Sequence, residues 1–305
     1  MKTAIRDFRW LLLALGSLFC CLLGPSIGLP RPVFHYLFVL DITQSMNARD
    51  YAEKDLPADR LSFAKEALRQ AIRDLPCGSH AALAIFSTKD VMILLEPLEI
   101  CAHFNVLDDT IRHIDWRMAW SADSNVERGL YAAVLATKGL DKNLNLVFIS
   151  DGEQNIQELH RPPLARSKGQ VNGFLIGSGS PVPTPIPKFD KNNRSIGYWT
   201  RVEVEDFTLG ALSPSSAAPV GDAEQVFLSR LNQNNLETLA ELTGLRYLRL
   251  ESPAQFVRAL MTPDFAQTRQ VQSDLRWVFA LIALISLLAA WVSPRWNRRS
   301  SAPQA

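Results

Sequence analysis

Apolar and polar positions follow two different periods along the chain, and together they predict strands and helices in turn. Continuous apolar runs at 34–40 and 144–150 are typical of strands that are covered on both faces. The segment 61–75 instead repeats its apolar residues every three or four positions, as an amphipathic helix does. Similar patterns predict helices at 106–114, 125–140 and 235–243, and strands at 171–177 and 246–250. The alternation predicts an α/β fold with a doubly wound, mostly parallel sheet.

A hairpin is predicted at 80–95, where the strand-like runs 80–87 and 91–95 flank three turn residues. Its second strand supplies one antiparallel edge strand to the sheet. Cys77 precedes the hairpin and Cys101 follows it, so that a closed hairpin brings the two thiols together, and we expect a disulfide. Two free, buried thiols are the alternative.

The main domain is predicted over 33–265 and contains a Pro-rich insertion near 178–222. An insertion of this length is long for a loop of a compact domain. Within it, 191–195 has the composition of a polar turn, and 196–199 with 202–207 predicts a small hairpin. A partner-binding lid and a solvated loop are both compatible with the pattern.

The amino-terminal segment 1–29 is basic and then apolar, which predicts either an anchor or a signal peptide. Lys2, Arg6 and Arg9 precede the apolar run 10–23, and small residues follow it up to a cleavage position near Gly28. If the segment is retained, its fourteen apolar residues are short of the roughly 20 that span a bilayer.

A second apolar run near the carboxyl end predicts a transmembrane helix at 277–294 and a tail at 295–305. Trp277 and Trp291 lie near its ends, where interfacial aromatic residues are common. A buried core helix is the alternative, although such a helix is seldom apolar on every face. Basic residues flank both runs on their outer sides. The positive-inside bias therefore predicts a bacterial inner-membrane protein with a periplasmic main domain and cytoplasmic termini, unless the first segment is cleaved.

Composition excludes one large class of partners. The 305 residues carry 32 basic and 31 acidic side chains, and 47% are hydrophobic. No basic patch with interleaved aromatic residues is present, so we expect no nucleic-acid partner. The length suits one large domain with membrane segments.

Oxygen-bearing side chains follow the first predicted strand at alternate positions. Asp41, Thr43 and Ser45 come directly after the run, Ser124 opens a helix, and Asp151 ends the strand 144–150. Because the carboxyl ends of parallel strands share one crevice, these side chains are expected to converge. Hydroxyl and carboxylate oxygens are ligands of hard divalent cations. Taken singly, each residue also has an ordinary interpretation as a turn or helix cap.

In this order, D-x-[ST]-x-S at 41–45, a hydroxyl about eighty residues later and a strand ending in Asp-Gly resemble the von Willebrand factor A domain family. The resemblance implies a Rossmann-like fold and a metal-ion-dependent adhesion site made by Asp41, Thr43, Ser45, Ser124 and Asp151. It also implies that the hydroxyls contact Mg²⁺, or Mn²⁺ or Ca²⁺, directly. The two carboxylates then act through water, and a client protein's carboxylate completes the shell.

The sequence departs from the common family pattern at three positions. Thr43 stands where Ser is usual and Ser124 where Thr is usual, and both exchanges keep a hydroxyl. Asp123 stands where Gly often precedes the Thr. Its carboxylate has three open interpretations: it coordinates the ion, orients Ser124, or only caps the following helix.

Further segments resemble the membrane-anchored Bat and Mxa type of bacterial A-domain proteins, over about 34–290. The matching stretches are 176–179, 185–187, 235–240 and 242–247. This resemblance implies MoxR-type AAA+ ATPases and other A-domain proteins as partners, in the assembly or activation of a periplasmic or membrane complex.

By the same resemblance the protein binds and does not catalyse. A scaffold with an idle metal site is one alternative. A Mg²⁺-dependent hydrolase is another, but position 43 lacks the second carboxylate of an aspartyl phosphatase and no G-x-x-x-x-G-K cradle is present.

Overall fold

The structure is a computed structural model that describes residues 2–52, 55–119, 124–141, 143–154, 162–190, 192–201, 203 and 225–299. It divides into two compact units, one made by 1–31 with 268–305 and the other by 32–267. The strands, in chain order, are β1 Ser26–Val33, β2 His35–Asp41, β3 His80–Ser87, β4 Asp90–Glu99, β5 Asn145–Ser150, β6 Gly173–Gly177, β7 Thr184–Pro185, β8 Pro187–Phe189, β9 Ser195–Tyr198, β10 Leu228–Ser229, β11 Arg246–Arg249 and β12 Gln267–Asp274. The helices are α1 Lys2–Leu23, α2 Arg60–Asp74, α3 Phe104–His113, α4 Val126–Leu140, α5 Gln233–Thr243, α6 Pro253–Leu260 and α7 Arg276–Arg299.

A six-stranded sheet forms the centre of the larger unit, in the order β11-β6-β5-β2-β3-β4. All neighbouring strands are parallel except β3 and β4, which form the predicted antiparallel hairpin at one edge. The predicted mostly parallel α/β sheet with one antiparallel edge strand is confirmed. The two central strands β2 and β5 are buried almost throughout, as their continuous apolar sequences require.

Helices cover both faces of the sheet. Apolar residues of α2, α3 and α6 form one buried cluster against the sheet, and those of α4 and α5 form the other. Helix α4 lies very close to β3. A Cβ atom at Gly129 would be only 2.1 Å from the ring of Phe86. Glycine at this position therefore allows the approach that brings the start of α4 to the end of the sheet.

The predicted disulfide between Cys77 and Cys101 is confirmed, with 5.3 Å between the two Cα atoms. The hairpin of β3 and β4 brings its open ends together at this bridge, as expected. Helix α6 was not predicted from the sequence. Ser252 caps it by accepting a hydrogen bond from the backbone of Gln255, and Pro253 occupies its first turn.

The described residues between β6 and α5 contain short strands in two separate pairs, β7 with β10 and β8 with β9. Strand β10 lies beyond the predicted end of the insertion. The segment 196–199 predicted for a hairpin contains β9, which pairs antiparallel with β8, the segment that precedes it. Its predicted pairing with 202–207 stays a prediction. Asp190 closes the connecting turn by accepting hydrogen bonds from the backbone of Asn192 and Arg194. This local Asx turn sets the pairing. Residues 202 and 204–207 lie outside the described residues, as do Trp120 and Asp123.

The smaller unit consists of α1 and α7, which pack side by side, and the two-stranded sheet β1-β12. Among residues 9–23 and 276–291 of its helices, the buried side chains are small, namely Ala14, Ser17, Ala283 and Ser286. The large apolar side chains face outward, and Leu15, Leu22 and Trp277 are each more than half exposed.

Helices are present at both predicted membrane segments, but across the described ranges no helix has the length and apolar character required to cross a membrane. The predicted transmembrane spans are therefore not supported. The charged residues of α1 all precede Trp10, which leaves only fourteen apolar residues. The apolar run of α7 is sixteen residues long, also below the roughly 20 that a bilayer requires.

Candidate functional site

Strand β2 delivers Asp41 into the interior, and a short turn after it brings Thr43 and Ser45 close together. Asp41 is fully buried, and its Oδ1 accepts hydrogen bonds from the backbone N of Thr43 at 2.9 Å and from Oγ1 of Thr43 at 2.6 Å. Thr43 makes no side-chain cap to the following turn. The interpretation of Thr43 as a simple cap is therefore wrong.

The hydroxyls of Thr43 and Ser45 are 3.3 Å apart. Adjacent ligands of an octahedral ion with bonds of about 2.1 Å are separated by about 3.0 Å, so the pair is close to the spacing of two such ligands. The hydroxyl of Thr43 donates its hydrogen bond to Asp41, so the lone pairs of its oxygen remain available for a cation.

Strand β5 joins the site through its last residue, Ser150. Its Oγ donates a hydrogen bond of 2.7 Å to Oδ2 of Asp41 and accepts one from the backbone of Gly152. Gly152 has a φ of 74°, and a Cβ atom there would collide with Leu236. The turn therefore requires glycine, and it leaves Asp151 buried at the carboxyl end of the strand.

Ser124 is held against the loop that follows β5. Its Oγ donates a hydrogen bond of 3.1 Å to the carbonyl oxygen of Glu153, and its backbone bridges to Thr88 at the end of β3. The cap of α4 is Asn125, which accepts a hydrogen bond from the backbone of Arg128. Ser124 is therefore not the helix cap.

The structure thus brings the five predicted site residues to one end of the sheet. Asp41, Thr43 and Ser45 are linked directly, Asp151 follows the serine that binds Asp41, and Ser124 binds the loop after Asp151. Their convergence follows from the parallel arrangement of β2, β3 and β5. That these residues ligate a metal stays a prediction.

Burial concentrates negative charge at this end of the sheet. Desolvation and the neighbouring charge of Asp151 raise the pKa of Asp41 to about 7, although hydrogen bonds from Thr43 and Ser150 oppose the rise. Desolvation and the same charge of Asp151 also raise the pKa of Glu153 to about 7. A cation at the site would relieve this repulsion.

Sequence reasoning missed one residue at this end of the sheet, Arg60, the first residue of α2. It is fully buried, and its Nη1 donates to Oδ2 of Asp151 at 2.8 Å. Its Nε and Nη2 donate to Oδ2 of Asp50 at 2.9 and 2.7 Å. Two signals in the sequence point to it: Arg60 continues the apolar stripe of α2, and a cation at a helix amino terminus is unfavourable unless it has a partner.

The residues present suit a hard oxygen-seeking ion and do not suit a soft one. Throughout the part of the chain that the structure describes, no three His, Cys, Asp or Glu side chains are grouped to hold a metal. The candidate ligands at the site are instead hydroxyls supported by hydrogen-bonded carboxylates. This donor set is compatible with Mg²⁺, Mn²⁺ or Ca²⁺, which bind oxygen and retain water.

Comparison with known proteins agrees with this geometry. Residues 36–154 match the model of the von Willebrand factor type A domain. Among proteins of curated function, none matches this sequence. Two solved structures share the fold, each at 17% identity over 74% of this chain. An aerotolerance-related membrane protein from Bacteroides fragilis has a TM-score of 0.52 over 96% of its length. The conserved hypothetical protein BatB from Bacteroides thetaiotaomicron has a TM-score of 0.54 over 95% of its length.

Domains of the matched type are generally interaction modules without catalytic activity. In this chain the match begins in β2 and ends just after β5, so it contains all five predicted site residues. The sequence match and the fold together identify residues 36–154 as a von Willebrand factor type A domain.

Proposed function

We propose that the protein binds a divalent cation, Mg²⁺ or else Mn²⁺ or Ca²⁺, and uses it to bind a protein client. The hydroxyls of Thr43, Ser45 and Ser124 contact the ion, and Asp41 and Asp151 support it through water. One observation carries this assignment: both oxygens of Asp41 already accept hydrogen bonds, and one donor is the Thr43 hydroxyl that lies 3.3 Å from Ser45.

The client is expected to supply a carboxylate. Neutral hydroxyl ligands leave most of the positive charge on the ion, and a hard cation prefers an anionic oxygen at its remaining position. An Asp or Glu side chain of another protein provides that oxygen.

The fully buried position of Asp41 argues for binding and against hydrolysis. An aspartyl nucleophile has to reach its substrate, whereas both oxygens of Asp41 are engaged by Thr43 and Ser150. We therefore assign no enzymatic activity to the site.

Calorimetric titration of Mg²⁺, Mn²⁺ and Ca²⁺ into the full chain in detergent tests the proposal. Thr43→Val keeps the shape of the side chain and removes the hydroxyl, so we expect saturable binding in the native protein and at least tenfold weaker binding in the variant. Thr137→Val is the matched control, because Thr137 is equally buried but binds only the carbonyl of Ala133 in α4. Native protein that binds none of the three ions would refute the metal site and leave a scaffold with an idle motif.

We propose that the smaller unit holds the chain at a bacterial inner membrane. Small residues are buried in α1 and α7 while leucines and tryptophans face outward, the reverse of a water-soluble helix pair. The disulfide supports a periplasmic location for the main domain, because such bonds persist in oxidising compartments. Flotation of the full chain with phospholipid vesicles, compared with a Leu15→Glu and Leu22→Glu variant, tests this. Equal flotation of the two proteins would contradict it.

In the wider system we propose that the site acts with a MoxR-type AAA+ ATPase and other A-domain proteins, in the assembly or activation of a periplasmic or membrane complex. The motif order and the interaction role of the domain type support this placement. Chelation distinguishes it from a scaffold role, because EDTA releases a client held by the ion and leaves a scaffold contact intact.

A further inference from the structure

Arg60 connects the candidate metal site to β10, and the proposed function does not use it. Besides its ion pairs with Asp151 and Asp50, its Nη1 donates to Oγ of Ser229 at 2.7 Å and lies 3.4 Å from the carbonyl oxygen of Ser45. Arg60 thus touches the side chain of one proposed ligand and the backbone of another. Its side chain is fully buried.

The guanidinium is shared between two buried carboxylates. Asp50 directs only its Oδ2 toward Arg60, and that oxygen also accepts a hydrogen bond from the backbone of Ser180. Oδ1 of Asp50 is buried and accepts no hydrogen bond from the described residues. Asp50 therefore competes with Asp151 for a single positive charge.

Stability alone gives a poor account of this cluster. A buried ion triad is seldom more stabilising than well-packed apolar side chains, and the amino end of a helix disfavours a cation. The cluster contains Asp151, one of the five proposed site residues, and its guanidinium lies 3.4 Å from the carbonyl oxygen of Ser45. Both observations favour a role in the site.

We propose that Arg60 is a positioning residue that sets the cation affinity of the site. It fixes Asp151 and offsets part of its charge, so the ion by itself binds weakly and is retained when an external carboxylate supplies further negative charge. Asp50 weakens this effect, because it binds the same guanidinium and so reduces the positive charge that acts on Asp151. The inference rests on the proposed function, because it concerns the same ion.

Two variants of the full chain in detergent are expected to change affinity in opposite directions. Arg60→Gln removes a positive charge near the ion, and we expect Mn²⁺ to bind about tenfold more tightly. Asp50→Asn removes a negative charge and leaves the guanidinium wholly to Asp151, and we expect Mn²⁺ to bind about tenfold more weakly. Damage to the fold alone would weaken binding in both variants.

Calorimetric titration of Mn²⁺, with and without acetate as the carboxylate probe, measures both effects. Acetate is expected to tighten Mn²⁺ binding in the native protein and to have less effect in Arg60→Gln. Arg69→Gln is the matched control, because Arg69 lies on the same helix and pairs with Glu66 and Asp108. Its Mn²⁺ affinity should equal that of the native protein.

The outcomes separate the two proposals. Native protein that binds no Mn²⁺ overturns the proposed function and this inference with it. Native protein that binds Mn²⁺, with unchanged or weaker binding in folded Arg60→Gln, overturns only the role of Arg60. If Arg60→Gln does not fold, Asp50→Asn decides: weaker binding supports the inference, and unchanged or tighter binding overturns it.

Discussion

Ser150 donates a hydrogen bond of 2.7 Å from its Oγ to Oδ2 of Asp41, and so joins the last residues of the two central strands of the sheet. The Oγ of Ser150 also accepts a hydrogen bond from the backbone of Gly152, which positions the turn that carries Asp151. Two predicted metal-site carboxylates are therefore set by one serine that belongs to neither motif.

Removal of this hydroxyl is expected to destabilise the protein. Ser150→Ala leaves one oxygen of the buried Asp41 carboxylate without its hydrogen bond, and we expect a loss of about 2 kcal/mol in the free energy of unfolding in urea. Ser87→Ala is the control, because Ser87 is also fully buried at a strand end but its hydroxyl makes no hydrogen bond to the residues that the structure describes. That variant should be neutral or slightly stabilised. A larger loss in Ser87→Ala than in Ser150→Ala would contradict the prediction.

The stability of the ion-free protein should fall as pH rises from about 5 to 8. The pKa values of Asp41 and Glu153 are raised to about 7, so the folded state binds more protons than the unfolded chain between the ordinary and raised values. Their contribution is complete below the ordinary carboxyl range and is lost through pH 7. Urea unfolding in EDTA at several pH values measures the slope, and Glu153→Gln should reduce it. A stability that rises across this interval in Glu153→Gln and native protein alike would refute the assignment.

The disulfide should contribute about 3 kcal/mol to stability, because it closes a loop across 24 positions in the unfolded chain. The measurement is urea unfolding of a Cys77→Ala and Cys101→Ala variant beside the native protein. Cys20 and Cys21 are free thiols of α1, and their replacement by alanine is the control. If the double variant unfolds with the same free energy as the native protein, the hairpin is closed without the bridge and the prediction is wrong.

The contact between α4 and β3 should tolerate no side chain at Gly129. Gly129→Ala places a methyl group against the Phe86 ring, and we expect about 1–3 kcal/mol of destabilisation from overpacking. Gly139→Ala on the same helix is the matched control, since no atom lies within 4 Å of its added Cβ. We expect that variant to gain up to about 1 kcal/mol. Phe86→Leu combined with Gly129→Ala should recover part of the loss.

Local pattern was enough to predict much of the larger unit. The apolar runs that became β2 and β5 are buried on both faces, and the amphipathic periods of α2 and α4 mark helices with one covered face. The positions of Asp41 and Asp151 followed from the rule that strand ends of a parallel sheet converge. Each of these inferences needs only neighbouring residues and the topology they imply.

Other features depend on tertiary contacts that no local pattern identifies. The sequence marks Arg60 as a cation on the apolar stripe of α2 that needs a partner, but only folding brings it to Asp151, 91 positions later. The pairing of β9 with β8 depends on the turn closed by Asp190, which the sequence pattern of the strands did not indicate. The sequence by itself determined the sheet, the disulfide and the order of the oxygen ligands. The tertiary structure decided how the charges of the buried carboxylates are neutralised, because the buried guanidinium of Arg60 pairs with the carboxylates that folding places beside it.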